Sequence, residues 1–143
     1  DIVDADYNHE QWLRHVQGHE KDPERGNRCS ICFKIRLRDT AVYAHNHGFN
    51  VITTTLASSR WKSLEQINTA GKWAVEPFSD VAWWDQNWRK GGLSERRAAI
   101  IKEYGFYNQQ YCGCEFSMRR QETTRQDAEH TQKQDTRQDA QSR

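Results

Sequence analysis

CSICFKIRLRDTAVYAHNHGFNVITTTLASSR, residues 29–60, carries the reading of the fold. In its first half Cys29, Cys32, Phe33, Arg36, Leu37, Thr40, Ala41 and Ala44 recur at steps of three and four. That spacing lays them along one face of a helix from Cys29 to about Asn46, with Gly48 as the stop. The β-branched run Val51-Ile52-Thr53-Thr54-Thr55-Leu56 then predicts a strand over 49–56. After the loop Ser58-Ser59-Arg60 a second helix is expected over 62–70, ending at Gly71. Helix–strand–helix alternation favours an α/β fold with a mostly parallel sheet. Ligands of such sheets sit beyond the carboxyl ends of the strands, which puts Thr53 to Ser59 and the loop before Cys29 on the functional edge.

Outward from this segment, residues 2–7 read as a strand and residues 9–17 as a short helix ending near Gly18. The Pro, Gly and Asn content of Asp22-Pro23-Glu24-Arg25-Gly26-Asn27 marks a loop. On the other side, residues 83–92 form a loop dense in tryptophan, read as core or as a surface that stacks a planar group. Ser94-Glu95 opens a third helix with Ala98, Ile101 and Tyr104 inward and Gly105 at its end. Residues 119–143 hold no aliphatic side chain larger than alanine and repeat the word Thr-Arg-Gln-Asp-Ala. Such a segment cannot bury enough apolar surface to offset its ordering entropy. The organisation expected is one α/β domain over 1–118 and a disordered polar tail over 119–143.

A chain of 143 residues with net charge +1 is one domain's worth and has no global pull toward nucleic acid. Locally, Arg25, Arg28, Lys34, Arg36 and Arg38 surround the first cysteine pair, and Arg60, Lys62, Arg89, Lys90, Arg96 and Arg97 cluster later. Clusters of this kind are solvated faces or phosphate contacts. No apolar run approaches the roughly 20 residues of a bilayer span. The chain starts at Asp1 rather than Met, which reads as a processed or partial sequence.

All four cysteines fall in two tight pairs, Cys29-Ser30-Ile31-Cys32 and Cys112-Gly113-Cys114. These spacings are too short for the staples of small secreted domains, so a reducing cytoplasm is expected. At a helix start Cys29 and Cys32 lie one turn apart, where the helix N-terminus and Arg28 favour thiolate. The second pair needs a bend at Gly113 and would chelate metal or close a small, strained disulfide ring. Taken alone, the pairs fit a zinc site, an iron–sulfur site or a thiol oxidoreductase.

The words around the cysteines add a resemblance. Glu24-Arg25-Gly26-Asn27-Arg28-Cys29-Ser30-Ile31-Cys32-Phe33, Ile52-Thr53-Thr54-Thr55-Leu56, Ser59-Arg60-Trp61-Lys62 with Gln66-Ile67-Asn68, and residues 84–92 resemble the epoxyqueuosine reductase family QueH, in order. Phe106 to Ser117, containing Cys112-Gly113-Cys114, looks like that family's closing motif. The resemblance implies a Rossmann-like α/β domain and a cobalamin-independent oxidoreductase with a [4Fe-4S] cluster. Its reaction would be reduction of epoxyqueuosine to queuosine at the wobble position of tRNA, the last step of queuosine biosynthesis. By position, Cys29 and Cys32 would be cluster ligands, with room for an additional metal ion, and Cys112 and Cys114 the redox-active pair. The family's N-terminal segment with adjacent cysteines has no counterpart here, so the domain is expected to be partial and inactive alone.

Charge and aromatic content, not the resemblance, nominate Arg60, Lys62, Arg89 and Lys90 for tRNA contact, with Trp61 or Trp88 stacking. An electron donor is required as a partner, and no membrane is. Tyr111, His45 and Glu115 are the candidate proton donors. The competing class is a zinc-stabilised tRNA-binding module without catalysis.

Overall fold

The computed structural model describes residues 2–6 and 8–118, and the chain divides into two compact units, Asp1–Asn108 and Gln109–Arg143. In the first unit the order is α1 (His9–His15), α2 (Asn27–Asn46), β1 (Val51–Ile52), a 3-10 turn (Thr55–Ser58), α3 (Leu64–Val75), β2 (Ala82–Trp83) and α4 (Leu93–Tyr104). β1 and β2 pair in parallel, Val51 opposite Ala82 and Ile52 opposite Trp83, with α3 as the crossover. The architecture is thus α/β with a two-stranded parallel sheet. The tail expected over 119–143 lies outside the described residues.

The core forms where α2 meets α3. Phe33, Leu37, Ala41 and Ala44 of α2 are buried, as their spacing predicts, against Ile67, Ala70 and Ala74 of α3 with Ile52 and Val81. Arg36 and Thr40 of the predicted stripe are exposed at its edge. Small residues on both helices let the backbones approach closely. Gly71, expected to end α3, instead lies buried inside it. A Cβ there would meet the Trp83 indole at 2.3 Å, and the indole N–H of Trp83 donates to Asn68 Oδ1 at 3.3 Å. The side chain of β2 occupies the space that glycine leaves on α3.

Four further expectations are corrected. Residues 2–6 form no strand, because an extended segment without a neighbour has no partner for its backbone groups, and Ile2 is fully exposed. The strand over 49–56 contracts to Val51–Ile52: Thr54 accepts the Leu56 N–H at 3.2 Å and turns the chain into the 3-10 turn. Trp83, read as the start of a loop, instead belongs with Ala82 to the second strand, and Thr53 Oγ1 adds a bond to the Trp84 carbonyl at 3.0 Å. In α4 the expected inner face is absent; the helix buries no residue, and Tyr104 is 63% exposed. Gly105 does end it, in the left-handed region at φ 64°. No helix among the described residues is long and apolar enough to cross a membrane.

Helix propensity alone predicts that Gly71→Ala stabilises by about 1 kcal/mol. The indole contact predicts the reverse, a loss of about 2 kcal/mol through overpacking. Chemical denaturation of the variant decides between them, and a raised midpoint would discard the packing account.

Candidate functional site

Cys29 lies in the first turn of α2 and Cys32 one turn further on, both half-buried, and all four cysteines are thiols rather than disulfides. The N-cap of α2 is Gly26, which offers no side-chain oxygen to the first turn. A Cβ on Gly26 would come within 2.9 Å of the Pro23 carbonyl oxygen, so the loop folds too tightly for a capping side chain. Asp22 takes over: its Oδ2 accepts the Arg28 backbone N–H at 3.0 Å and pairs with His19 Nδ1 at 2.9 Å.

Arg28 is 1% exposed, and its Nη1 donates to the carbonyls of His19, Glu20 and Asp22 at 3.0, 2.9 and 2.7 Å. Read from sequence as a charge beside the thiols, it also gathers the preceding loop beneath α2. Arg25 stands at φ 66°, in the left-handed region that a side chain rarely adopts, and its backbone N–H points at Cys29 Sγ, 3.3 Å away. Two sets of bonds hold that conformation. Gln66 of α3 donates from Nε2 to the Arg25 carbonyl and to Ser30 Oγ, both at 2.8 Å. The Arg25 guanidinium donates from Nη2 to the Arg60 carbonyl at 2.9 Å and from Nε to that of Trp61 at 3.4 Å. Cys29 is therefore positioned by α3 and by the loop before it.

Of the four cations nominated for RNA contact, Arg89 is the one most tied into the fold. Its Nε donates to the Ala57 carbonyl at 3.1 Å, and its Nη2 donates to Lys62 O at 2.9 Å and to Ser59 O. It staples the segment 57–62. Arg60 lies over the Trp61 ring at 4.9 Å, Lys62 lines a cavity with Arg25 and Arg89, and Lys90 is exposed. Trp88 donates its indole N–H to the Thr54 carbonyl at 3.0 Å and packs edge-on to Trp84. His45 pairs with Asp80 in the last turn of α2. At 1.5 Å per residue that is about 20 Å from Cys32, beyond reach of a proton at the thiols.

In the second unit, Gly113 at φ 89° makes the bend between Cys112 and Cys114. The Ser117 hydroxyl donates to Cys112 Sγ at 3.7 Å, and the Cys114 carbonyl accepts the N–H groups of Ser117 and Met118. Gln109 donates from Nε2 to the Tyr111 carbonyl at 2.7 Å. Among the described residues no group of three or more His, Cys, Asp or Glu side chains is placed to hold a metal ion. Two thiols one helical turn apart near the start of α2 would supply two ligands of a larger cluster site.

The model of the family described as Epoxyqueuosine reductase QueH matches residues 1–120. The chain belongs to that family. It is 48% identical over 133 residues to the epoxyqueuosine reductase QueH of Haemophilus influenzae, covering 90% of this chain and 54% of that protein. It is 49% identical over 118 residues to the QueH of Histophilus somni, covering 82% of this chain and 49% of the other. The QueH of Acinetobacter baylyi is 44% identical over 118 residues, 82% of this chain and 54% of its own. This chain thus spans about half the length of the QueH relatives it matches.

The Arg28 N–H, and then His19, hold the Asp22 carboxyl below its ordinary value of 3.8, against the opposing effect of desolvation. A depressed carboxyl adds stability above its unfolded value and loses it as pH falls through the folded one. Stability is accordingly expected to drop on acidification below about pH 4. Asp22→Asn should lower the denaturation midpoint at neutral pH and flatten that acid limb; an unchanged limb would remove Asp22 as the cap. Gln66→Leu, which leaves the Arg25 carbonyl and Ser30 hydroxyl without their donor, should cost about 1–3 kcal/mol in urea unfolding.

Proposed function

We propose that this chain is part of an epoxyqueuosine reductase that converts epoxyqueuosine to queuosine at the wobble position of tRNA, the last step of queuosine biosynthesis. The observation that carries the reading is the anchored Cys29–Cys32 turn in a chain nearly half identical to proteins of that name. The same names disfavour a zinc-stabilised, non-catalytic tRNA-binding module. We read the β1–α3–β2 crossover as one unit of a Rossmann-like domain, and the cytoplasm as the compartment that the short cysteine spacings suit.

The reaction consumes two electrons and two protons per epoxide and releases the oxygen as water, leaving the alkene. Cys112 and Cys114 match that stoichiometry, since two thiols closing to a disulfide release two electrons and two protons. The left-handed Gly113 gives the backbone the bend such closure needs, and the Ser117 hydroxyl donates to the Cys112 sulfur. An electron donor then returns the disulfide to the dithiol. Cys29 and Cys32 would hold a [4Fe-4S] cluster, with an additional metal ion as a further possibility for the complete site. When bound, that cluster supplies one-electron transfer and a Lewis-acidic iron. Gln66 holds Arg25, and the Arg25 N–H in turn orients the Cys29 thiol. Arg60, Lys62, Arg89 and Lys90 are the proposed tRNA contacts, Arg89 also holding the segment that carries Arg60 and Lys62.

Anaerobic iron and sulfide analysis with a turnover assay tests the assignment in the full-length enzyme. Cys112→Ser is expected to keep wild-type iron and sulfide and to lose turnover by about a thousandfold or more, the scale of removing a reacting group. Cys29→Ser should lose iron. Iron lost on Cys112→Ser would make that residue a ligand, and stoichiometric zinc without sulfide would sink the redox reading.

A further inference from the structure

A cavity of about 470 Å³ opens beside the first turn of α3, lined by Arg25, Lys62, Arg89 and residues 63–66. Its cationic walls are unusual in what they pair with. Every hydrogen bond of the Arg25 and Arg89 guanidiniums goes from Nε or Nη2 to a backbone carbonyl, at Arg60 and Trp61 for one and Ala57, Ser59 and Lys62 for the other. Carbonyl dipoles orient a guanidinium without cancelling its charge, and the Nη1 groups of both make no hydrogen bond among the described residues. The one carboxylate in the lining, Glu65, is exposed. Ser63 caps α3 by accepting the Gln66 N–H at 3.3 Å, which leaves the N–H groups of Leu64 and Glu65 without an acceptor in the helix. Positive charge from two guanidiniums and a helix start therefore converges on one concave surface, which Lys62 also lines.

The place of this cavity gives it a use. Arg25 lines it, and the Arg25 backbone N–H donates to Cys29 Sγ at 3.3 Å. An anion held there would share Arg25 as a neighbour with the thiol. The volume falls within the roughly 300–1,000 Å³ of ligand pockets and exceeds what a bare phosphate fills, leaving room for an attached sugar. We propose that the cavity is a phosphodiester subsite that seats one backbone phosphate of the RNA beside the nucleotide presented to the site that Cys29 and Cys32 belong to. The proposal rests on the tRNA reading above and adds to it Arg25, which charge clustering assigned to no contact. It also divides the labour: Arg25 and Arg89 serve as walls locked to the backbone, and Lys62 is the cation whose removal leaves those locks intact.

The test uses the full chain, with Lys62→Gln set against Lys72→Gln, an exposed lysine of α3 outside the cavity that changes net charge equally. Circular dichroism checks that both variants keep the wild-type fold. Binding of an unmodified tRNA anticodon stem-loop is followed by fluorescence anisotropy across a salt series, and inorganic phosphate by ³¹P line broadening. Lys62→Gln is expected to weaken RNA binding several-fold, to reduce the slope of log K against log salt by about 0.7–0.9, and to abolish phosphate broadening. Lys72→Gln should leave all three near wild type. Wild-type RNA affinity and slope in Lys62→Gln overturn the subsite while leaving the tRNA reading standing. Phosphate broadening that depends on Lys62 in a chain that binds no RNA overturns the tRNA reading and its RNA occupant, with the anion cavity retained. Equal losses in the two lysine variants overturn the subsite by making the effect one of net charge.

Discussion

How closely α3 can lie against α2 and β2 sets nearly everything else in the first unit. The contact is built from Ala41 and Ala44 on one side and Ala70, Gly71 and Ala74 on the other, with Ile67, Phe33 and Leu37 filling its ends. Small side chains give up buried area per residue but bring two backbones near enough for side chains beyond the core to reach across. Gln66, one residue before Ile67, is such a side chain. At a wider helix separation its amide would meet water instead of the Arg25 carbonyl and Ser30 hydroxyl. The same closeness admits the Trp83 indole over Gly71, which fixes the sheet to the helix layer.

The cysteine loop is consequently held from outside itself. Its N-cap is a glycine, and the donors and acceptors that finish the turn come from Asp22, from the carbonyls gathered by Arg28, and from Gln66. A loop secured in this way keeps the first turn of α2 in one conformation without a bound group. Ligands held in place beforehand lose less entropy when they engage a metal or substrate. The strained backbone at Arg25 belongs to this arrangement, since the residue in the left-handed region is also the one whose N–H meets the Cys29 sulfur.

Arginines show most plainly how charge read from sequence changes meaning in the fold. Arg28 and Arg89 stand in basic clusters, yet each directs its guanidinium to three backbone carbonyls. Five donors in a planar fork suit the collection of carbonyls as well as the binding of phosphate, and residue type does not separate the two uses. Ser63-Leu64-Glu65-Gln66 is a similar case. Its spacing is that of a capping box, in which the glutamine side chain returns to the cap residue. Here the serine caps as the pattern says, while the glutamine amide leaves its own helix for the cysteine loop.

The periodicity of α2, the stop at Gly48, the α/β class and the two cysteine pairs were determined by local chain chemistry, because helical spacing and short-range chelate geometry need no distant partner. The words around the cysteines were equally legible and carried the family. Tertiary structure decided the rest. Two-residue strands leave no alternation to read, and β2 is a strand because β1 offers it a ladder. The segment 2–6 has β-compatible residues but no neighbouring strand among the described residues, so it forms none there. Gly71 lies mid-helix rather than at an end because an indole 12 residues later needs its missing Cβ. The cavity of Arg25, Lys62 and Arg89 unites residues 64 positions apart in the chain, and that convergence exists only once α3 packs beside the loop before α2.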